Sequence, residues 1–335
     1  MKILPGKNRL VIRRRKYRKI NWGVAGCGDF TEHAFLPTLD VLKKSNLVSV
    51  YSHDLNRAKD LAGKFFAESS FNDFDKFLES DIDIVYIGSK NSDHYEQVIK
   101  AAKAKKHILC EKPMALSSSQ AEKMVKTCEE NGVLLVINYS HRFHPLAVKA
   151  KELISKGMVG KIVSINASFN IDLSPSDNYR FKKEQSGGGA LWDLGTHMID
   201  LLRYFGGEIV EIKGFVDNVI YKSEVEDFAN GLVKFEKSGY GNFTVSYNNK
   251  RAFNRIEILG YNGAIGIENL VGARNSSAKL IINLEGEGKK SFRRRANKLH
   301  YLLKDLQNAL IKNEHFGFSG HDGLVNIKLM EQLEK

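Results

Sequence analysis

The sequence predicts an α/β protein with an N-terminal Rossmann domain, built on a doubly wound parallel sheet, and a C-terminal α+β domain with a large, mostly antiparallel sheet. Strand and helix patterns alternate through residues 20–138, as in a parallel sheet with crossover helices. A glycine-rich turn follows the first strand pattern. Beyond residue 145 the strand patterns follow one another with few helices between them, which indicates antiparallel pairing.

These patterns divide the chain into three parts. Residues 1–19 form a basic N-terminal extension, residues 20–140 a dinucleotide-binding domain, and residues 141–335 an α+β domain, to which the family resemblance given below assigns substrate binding and oligomerisation. The last helix of the second domain is expected to pack back on the first. Each domain is long enough to bury its own core.

The composition is that of an ordinary globular protein, with 42% hydrophobic and 27% charged residues. No apolar run approaches the roughly 20 residues that a membrane-spanning helix needs. The cysteines Cys27, Cys110 and Cys128 are odd in number and far apart. They predict a reducing compartment, the cytoplasm, with neither a disulfide framework nor a metal site.

The net charge of +12 is concentrated at the N-terminus, since residues 1–19 contain nine Lys or Arg and no acidic residue. The rest of the chain carries 42 basic and 39 acidic residues, so the fold itself is not expected to bind nucleic acid. A solvated extension is the favoured interpretation of the tail. The alternative is an electrostatic tether to nucleic acid or anionic lipid.

The first strand pattern, Ile20–Ala25, runs into Gly26-Cys27-Gly28 and then a helix. A strand, a glycine turn and a helix together present backbone N–H groups to a pyrophosphate. Gly26, Gly28, Asp29 and Phe30 are therefore candidate cofactor contacts. Thr31 stands where the third small residue of G-x-G-x-x-G is expected, and the turn alone is a weak signal.

The second strand pattern, Leu47–Tyr51, precedes Ser52, although a dinucleotide domain usually places an acidic residue there to bind the ribose 2′-hydroxyl of NAD. Ser52, His53 and Arg57 suit the 2′-phosphate of NADP better than a carboxylate would. The residues favour NADP, and Asp54 leaves NAD open.

Further strands are predicted at Ile84–Ile87, Lys106–Cys110 and Val133–Ile137, with a helix between the last two that is capped at Ser119. The strand that ends at Cys110 is followed by Glu111-Lys112-Pro113. A residue before proline is extended, so Lys112 projects from the carboxyl end of a strand, where ligands bind in parallel sheets.

A second candidate group follows the loop Gly187-Gly188-Gly189. A helix is predicted from about Ala190 to Gly206, and on it Asp193, His197 and Asp200 share one face. An amphipathic helix with an ordinary histidine would explain this segment by itself. The co-occurrence with Glu111-Lys112-Pro113 favours a catalytic site.

Three motifs occur in order: Gly23-Val-Ala-Gly26-Cys-Gly28, Glu111-Lys112-Pro113 and Gly-Gly-Gly-x-x-x-Asp193-x-Gly-x-His197-x-x-Asp200. Together they resemble the Gfo/Idh/MocA family of NAD(P)-dependent sugar and polyol oxidoreductases. Smaller motifs agree with the resemblance, namely Asn91-x-x-His94, Asn138-Tyr139, Arg142-Phe143 and Asp322-Gly323-Leu324. Ser89-Lys90 departs from the Thr-Pro that relatives often carry.

The resemblance implies roles for these residues. His197 is the acid/base, Lys112 donates a hydrogen bond to the reacting oxygen, and Asp193 orients Lys112 and holds a neighbouring hydroxyl. The resemblance adds the cofactor contacts Ser89, Asn91, His94, Glu111 and Lys112. Besides the catalytic three, the substrate contacts it implies are Tyr139, Arg142 and Arg180. Arginines favour carboxylates or phosphates, which suggests an acidic or nucleotide-linked sugar, although both could be ordinary surface arginines.

The resemblance further implies an enzyme that transfers a hydride between NAD(P) and a hydroxyl or keto carbon of a sugar, polyol, sugar acid or nucleotide-sugar, and that assembles as a homodimer or homotetramer. Two alternatives use the same fold. One is an NAD-dependent glycoside hydrolase with transient oxidation. The other is a non-catalytic NAD(P)-sensing regulator, which should lack the lysine–histidine pair.

Overall fold

A computed structural model describes residues 18–272 and 277–335. Most of the predicted basic extension, residues 1–17, lies outside the described residues. Within those ranges the strands form two sheets, and helices pack against both of them.

The N-terminal sheet has six parallel strands, in the order β3-β2-β1-β4-β5-β6. The strands are β1 (Ile20–Ala25), β2 (Ser45–Tyr51), β3 (Ser69–Phe71), β4 (Ile84–Ile87), β5 (His107–Cys110) and β6 (Leu135–Ile137). The strand order reverses between β1 and β4, which opens a crevice at their carboxyl ends. The predicted doubly wound sheet is confirmed.

Helices cover both faces of this sheet. They are α1 (Leu36–Asp40), which is preceded by a π-helical turn (Thr31–Phe35), α2 (Leu55–Lys64), α3 (Phe74–Leu78), α4 (Asn91–Lys103) and α5 (Ser118–Glu130). The predicted cap at Ser119 is wrong. The side chain of Ser117 caps α5 by accepting from the backbone N–H of Gln120, because Ser118 and Ser119 already belong to the helix.

The C-terminal sheet has eight strands, in the order β14-β13-β12-β11-β7-β10-β9-β8. The strands are β7 (Ile162–Asn170), β8 (Ile209–Asp217), β9 (Phe228–Phe235), β10 (Tyr240–Ser246), β11 (Arg255–Gly260), β12 (Gly263–Glu268), β13 (Ala278–Leu284) and β14 (Gly288–Arg294). Every neighbouring pair is antiparallel except β7 and β10. The mostly antiparallel second sheet is therefore confirmed.

One face of the second sheet is covered by helices. They are α6 (Pro145–Ser155) and α8 (Thr196–Gly206), the latter preceded by a π-helical turn (Leu191–Gly195). The short helix α7 (Lys183–Ser186) contacts α4 of the first domain. Met198 and Leu202 of α8 are buried in one cluster with Phe243 and Val245 of β10. This packing fixes the helix that carries the candidate catalytic histidine.

The last two helices, α9 (Lys298–Lys312) and α10 (Gly320–Leu333), return to the first sheet. Leu302 and Leu306 of α9 are buried beside Trp22 and Phe35. Helix α10 packs against α5 on one side and against α8 on the other, so it joins the two halves of the fold. In the part of the chain that the structure describes, no helix has the length and apolar character required to cross a membrane.

Candidate active site

A cleft of about 910 Å³ lies between the two sheets, at the carboxyl ends of β1 and β4. Most of the predicted site residues line it. They are Gly26, Gly28, Asp29, Phe30, Ser52, His53, Arg57, Ser89, Asn91, Glu111, Lys112, Arg180, Asp193 and His197. Cofactor and substrate candidates from distant parts of the sequence therefore meet in one cavity.

The glycine turn after β1 requires glycine at its first position. Gly26 has a φ of +101°, and a Cβ there would lie 2.5 Å from the backbone nitrogen of Ser89. Gly28 is open, since a Cβ there would meet nothing closer than 4.0 Å. The turn is therefore packed closely against the loop after β4 at Gly26 and has free space at Gly28. Such a turn can accommodate the pyrophosphate of a dinucleotide.

The end of β2 forms the ribose side of the cleft. Asp54 is the N-cap of α2, because its carboxylate accepts hydrogen bonds from the backbone N–H groups of Asn56 and Arg57. The guanidinium of Arg57 reaches across the glycine turn and donates to the carbonyl oxygen of Cys27 at 2.5 Å. Ser52 and His53 line the cleft beside them. One oxygen of the carboxylate that follows β2 is thus already used by the helix cap.

Asn91 and His94 support the loop after β4. The amide of Asn91 donates to the carbonyl oxygen of Ser186 at 2.9 Å, which ties α4 to α7. His94 is fully buried and its ring nitrogens lie 3.0 Å from the carbonyl oxygen of Pro113 and 3.3 Å from that of Ser89. The structure does not place His94 in the wall of the cleft, so its contribution to a cofactor site is indirect.

Glu111 lies at the cleft end of β5 and is held from two sides. The hydroxyl of Tyr86 donates to it at 2.9 Å and the amide of Asn138 at 2.6 Å. Burial raises the pKa of Glu111, and these hydrogen bonds together with the charge of Lys112 oppose the rise. The amide oxygen of Asn138 is buried with no hydrogen-bond partner among the described residues, which a donor group on a bound molecule would satisfy.

Lys112 and Asp193 form an ion pair in the wall of the cleft. The Nζ atom of Lys112 lies 2.5 Å from Oδ1 of Asp193 and 2.8 Å from its backbone oxygen. Lys112 follows β5 of the first sheet, and Asp193 lies in the π-helical turn before α8. The pair therefore joins the two halves of the protein and fixes the direction of the lysine.

The other carboxylate oxygen of Asp193 is also engaged. Tyr247 donates to Oδ2 at 2.9 Å, and Nε of Arg180 lies 3.8 Å from the same atom. Burial raises the pKa of Asp193, but the charges of Lys112 and Arg180 and the hydrogen bonds outweigh it and lower the pKa to about 2. Asp193 is thus a permanent anion that orients Lys112.

His197 lies one helical turn further along, at the start of α8. Burial lowers its pKa well below the usual value, with further lowering by the charges of Lys112 and Lys298. Its ring is perpendicular to that of His141, with centroids 4.6 Å apart. Nδ1 has no hydrogen-bond partner among the described residues. The neutral imidazole is a proton acceptor at neutral pH.

Arg142 and Tyr139 do not line the cleft, so their predicted contact with substrate is corrected. Arg142 is 5% exposed and bonds to Asp200 at 2.8 Å and to Asp322 at 3.0 Å. The Tyr139 hydroxyl lies 2.9 Å from that of Thr196. Buried charges require partners, and this ion-pair cluster instead fixes α8 against α10. Asp200, predicted on the face of His197, belongs to the same cluster.

Other cleft residues were not predicted as site residues. They include Asn138, His141, Phe169, Tyr179, Tyr247 and Lys298. Asn138 belongs to a recognised motif and His141 lies next to one, so their position could have indicated them. Tyr247 directly follows the end of β10, and Lys298 is the first residue of α9. No local sequence pattern distinguishes residues in such positions from surface residues.

A glycine-turn Rossmann crevice that opens onto a lysine–aspartate pair and a neutral histidine defines the class of dinucleotide-dependent oxidoreductases. Comparison with protein families gives the particular family. Residues 20–139 match the oxidoreductase family with an NAD-binding Rossmann fold, and residues 147–266 match the GFO/IDH/MocA C-terminal domain. The chain belongs to the Gfo/Idh/MocA family of NAD(P)-dependent oxidoreductases, which confirms the resemblance.

Named relatives include two enzymes of sugar and polyol chemistry. Myo-inositol 2-dehydrogenase of Thermotoga maritima is 29% identical over 259 residues, which cover 74% of this chain and 75% of the relative. The dTDP-3,4-didehydro-2,6-dideoxy-alpha-D-glucose 3-reductase of Actinomadura kijaniata is 32% identical over 198 residues, 59% of each chain. The fold is similar to that of levoglucosan dehydrogenase in complex with NADH and levoglucosan, with a TM-score of 0.85, 22% identity and coverage of 95% of this chain and 96% of that one.

Proposed function

We propose that this protein oxidises a secondary hydroxyl of a sugar-type substrate to a ketone, or catalyses the reverse reduction, with NAD(P) as the redox partner. The observation that carries the proposal is the arrangement of Lys112, Asp193 and neutral His197 in the cleft that also contains the Gly26 turn. The relatives named above act on inositol, a deoxysugar and levoglucosan, which supports a polyhydroxylated substrate.

The residues have separate tasks in this reaction. A bound nicotinamide accepts or returns the hydride of the carbinol carbon. His197 takes the hydroxyl proton during oxidation and returns it during reduction. Lys112, held by Asp193, donates a hydrogen bond to the reacting oxygen and stabilises the negative charge that develops there. The carboxylate of Asp193 keeps that donor in place throughout.

The proposal is tested by incubating the protein with NAD and with NADP in the presence of polyols, sugars, sugar acids and nucleotide-sugars. Formation of reduced nicotinamide in step with a keto product is the expected result. Cleavage of a glycoside with no net change in nicotinamide absorbance would instead identify the hydrolase. Dinucleotide binding without turnover of any compound would identify the regulator and contradict the proposal.

For the cofactor, we propose a preference for NADP. Asp54 is used as the N-cap of α2, while Ser52 and the guanidinium of Arg57 lie at the ribose side of the cleft. The helix cap uses one oxygen of the Asp54 carboxylate, and a guanidinium suits a phosphate.

The Arg57→Gln variant is therefore expected to raise KM for NADP by about 10-fold and to change KM for NAD by less than about 3-fold, because one charge-assisted phosphate contact is lost. Steady-state kinetics with both cofactors measure the ratio. Lys59→Gln, an exposed charge on the same helix, is the matched control. An equal change in both KM values would contradict the preference.

We also propose that the protein forms a homo-oligomer through the outer face of β8, β9 and β10. Phe215, Leu232 and Tyr240 of these neighbouring strands are 75%, 65% and 63% exposed, and apolar side chains this exposed on adjacent strands are typical of an interface with a second copy. Light scattering during size exclusion is expected to give a dimer or tetramer, and Leu232→Glu with Tyr240→Glu a monomer. A monomeric wild-type protein at micromolar concentration would overturn this.

The compartment that we propose is the cytoplasm. Cys27, Cys110 and Cys128 are free thiols, and burial raises the pKa of Cys27 to about 11 and that of Cys128 to about 12. Unpaired cysteines are typical of proteins in reducing compartments. Fractionation of the producing cell tests this, and recovery from an oxidising compartment would contradict it.

A further inference from the structure

Lys298, the first residue of α9, lines the inner part of the cleft. Its Nζ atom lies 2.7 Å from Nδ1 of His141, whose ring contacts that of His197. The side chain of His141 therefore lies between Lys298 and the candidate acid/base, His197. Neither the proposed hydride transfer nor the cofactor site uses it.

The ammonium form of Lys298 has no counter-ion. Among the described residues no carboxylate lies within 4.0 Å of its Nζ atom. The residues outside the described ranges, 1–17 and 273–276, contain no Asp or Glu, so they supply none either. Charged side chains in protein interiors are normally paired.

Its surroundings make this lack of compensation costly. Lys298 begins a 15-residue helix, and the partial positive charge at a helix N-terminus disfavours a cation. Its charge contributes to the lowered pKa values of His141, His144 and His197, and burial lowers its own pKa to about 7. Lys298 thus opposes local stability through its missing counter-ion, its place at a helix N-terminus and its burial. A residue that is unfavourable in these ways indicates a functional requirement.

Two other cations of the cleft, which lie beside the candidate catalytic residues, do not share this property. Lys112 and Arg180 are both close to Asp193, and Arg142 is paired outside the cleft. Lys298 thus differs from Lys112 and Arg180 in having no carboxylate partner among the described residues, and its position is fixed by His141 and by the start of α9.

Resting on the proposed function, we propose that Lys298 binds an anionic substituent of the sugar substrate, a carboxylate or a phosphate ester, and so makes the enzyme specific for acidic sugars. The ammonium and His141 would hold the anionic group at the inner end of the cleft. The reacting hydroxyl would then lie between that group and Lys112. Lys298 is a specificity residue and takes no part in hydride transfer.

The test compares D-glucuronate and D-galacturonate with D-glucose, D-galactose and the methyl ester of glucuronate, and includes glucose 6-phosphate for the phosphate arm. The wild-type kcat/KM is expected to favour an acidic sugar over its neutral counterpart by at least about 10-fold. In Lys298→Met that preference should be largely lost, mostly through a higher KM for the acidic sugar, as for loss of one partner of a buried charge pair. Lys298→Arg should keep part of it.

Lys304→Met, on the exposed face of the same helix, is the matched control and should leave the preference unchanged. The Tm without ligand is expected to be no lower in Lys298→Met than in wild type, because an uncompensated charge has been removed. D-glucuronate should raise the Tm of wild type and not that of the variant. This binding measurement does not depend on turnover.

Equal losses on acidic and neutral sugars in Lys298→Met, or no preference for any acidic sugar in wild type, would overturn the inference. The proposed function would still stand if neutral sugars reduced the nicotinamide. Conversely, a Lys298-dependent rise in Tm with glucuronate and no reduced nicotinamide from any compound would support the anion site and refute the proposed function.

Discussion

Lys112→Met is expected to lower kcat by about 10²–10³-fold, the usual cost of losing one donor to a developing oxyanion. The ammonium of Lys112 is directed by Asp193 and is the only cationic donor among the described residues that is paired with that carboxylate at hydrogen-bond distance. Its loss removes the stabilisation of charge on the reacting oxygen. Dinucleotide affinity should change little, since the Gly26 turn is untouched.

Single-turnover measurements of hydride transfer, together with dinucleotide titration by fluorescence, separate the two effects. Lys112→Arg tests geometry, because it keeps the charge and should recover only part of the rate. Lys103→Met on the exposed end of α4 is the control for removal of any lysine. A Lys112→Met enzyme with wild-type kcat would refute the assigned role.

His197→Asn is expected to lower kcat by about 10²–10⁴-fold, the range for loss of a general acid/base. The asparagine remains polar, although smaller, and cannot accept the proton. The packing of Met198 and Leu202 in the core should keep the helix in place. His315→Asn, an exposed histidine, is the control, and unchanged oxidation rates in His197→Asn would contradict the mechanism.

The pH dependence carries a further signature of His197. Burial and the charges of Lys112 and Lys298 lower its pKa well below 6.5, so the imidazole is neutral and able to accept a proton down to pH values below that figure. The rate of oxidation should therefore fall only as the pH drops below 6.5, the ordinary value for histidine. In His197→Asn this acid limb should disappear; a limb that persists belongs to another group.

The sequence was sufficient for the general architecture because its signals are local. Alternating strand and helix patterns, the turn at Gly26 and the loop at Gly187-Gly188-Gly189 depend on neighbouring residues. The glycine loop illustrates this: Gly187 has a φ of +89°, and a Cβ at Gly189 would collide with the carbonyl oxygen of Glu226. Where the backbone conformation or a close contact requires glycine, the glycine itself is a local sequence signal.

Partners that come from distant segments were not visible. Arg142 has the sequence features of a substrate contact, yet it is buried between Asp200 and Asp322, which lie 58 and 180 residues away along the chain. Lys298 has the sequence features of a surface lysine at the start of a helix, yet it lines the cleft. Whether a charge is paired or faces a cavity depends on tertiary contacts, which residue type and local spacing do not encode.

The short elements were missed for a related reason. β3 and α3 have 3 and 5 residues, too few for a periodic pattern. The strand β14 is exposed along its whole length, so it lacks the alternation that marks a half-buried strand. None of these elements contributes a residue to the cleft.

The most direct test of the central claim uses the best substrate found in the screen, labelled with deuterium at the reacting carbinol carbon. The account predicts that the wild-type protein transfers the deuterium to C4 of the nicotinamide, as mass spectrometry of the recovered cofactor would show, and that Lys112→Met and His197→Asn lose this transfer together. Deuterium that stays on the substrate or exchanges into water while product forms would contradict it.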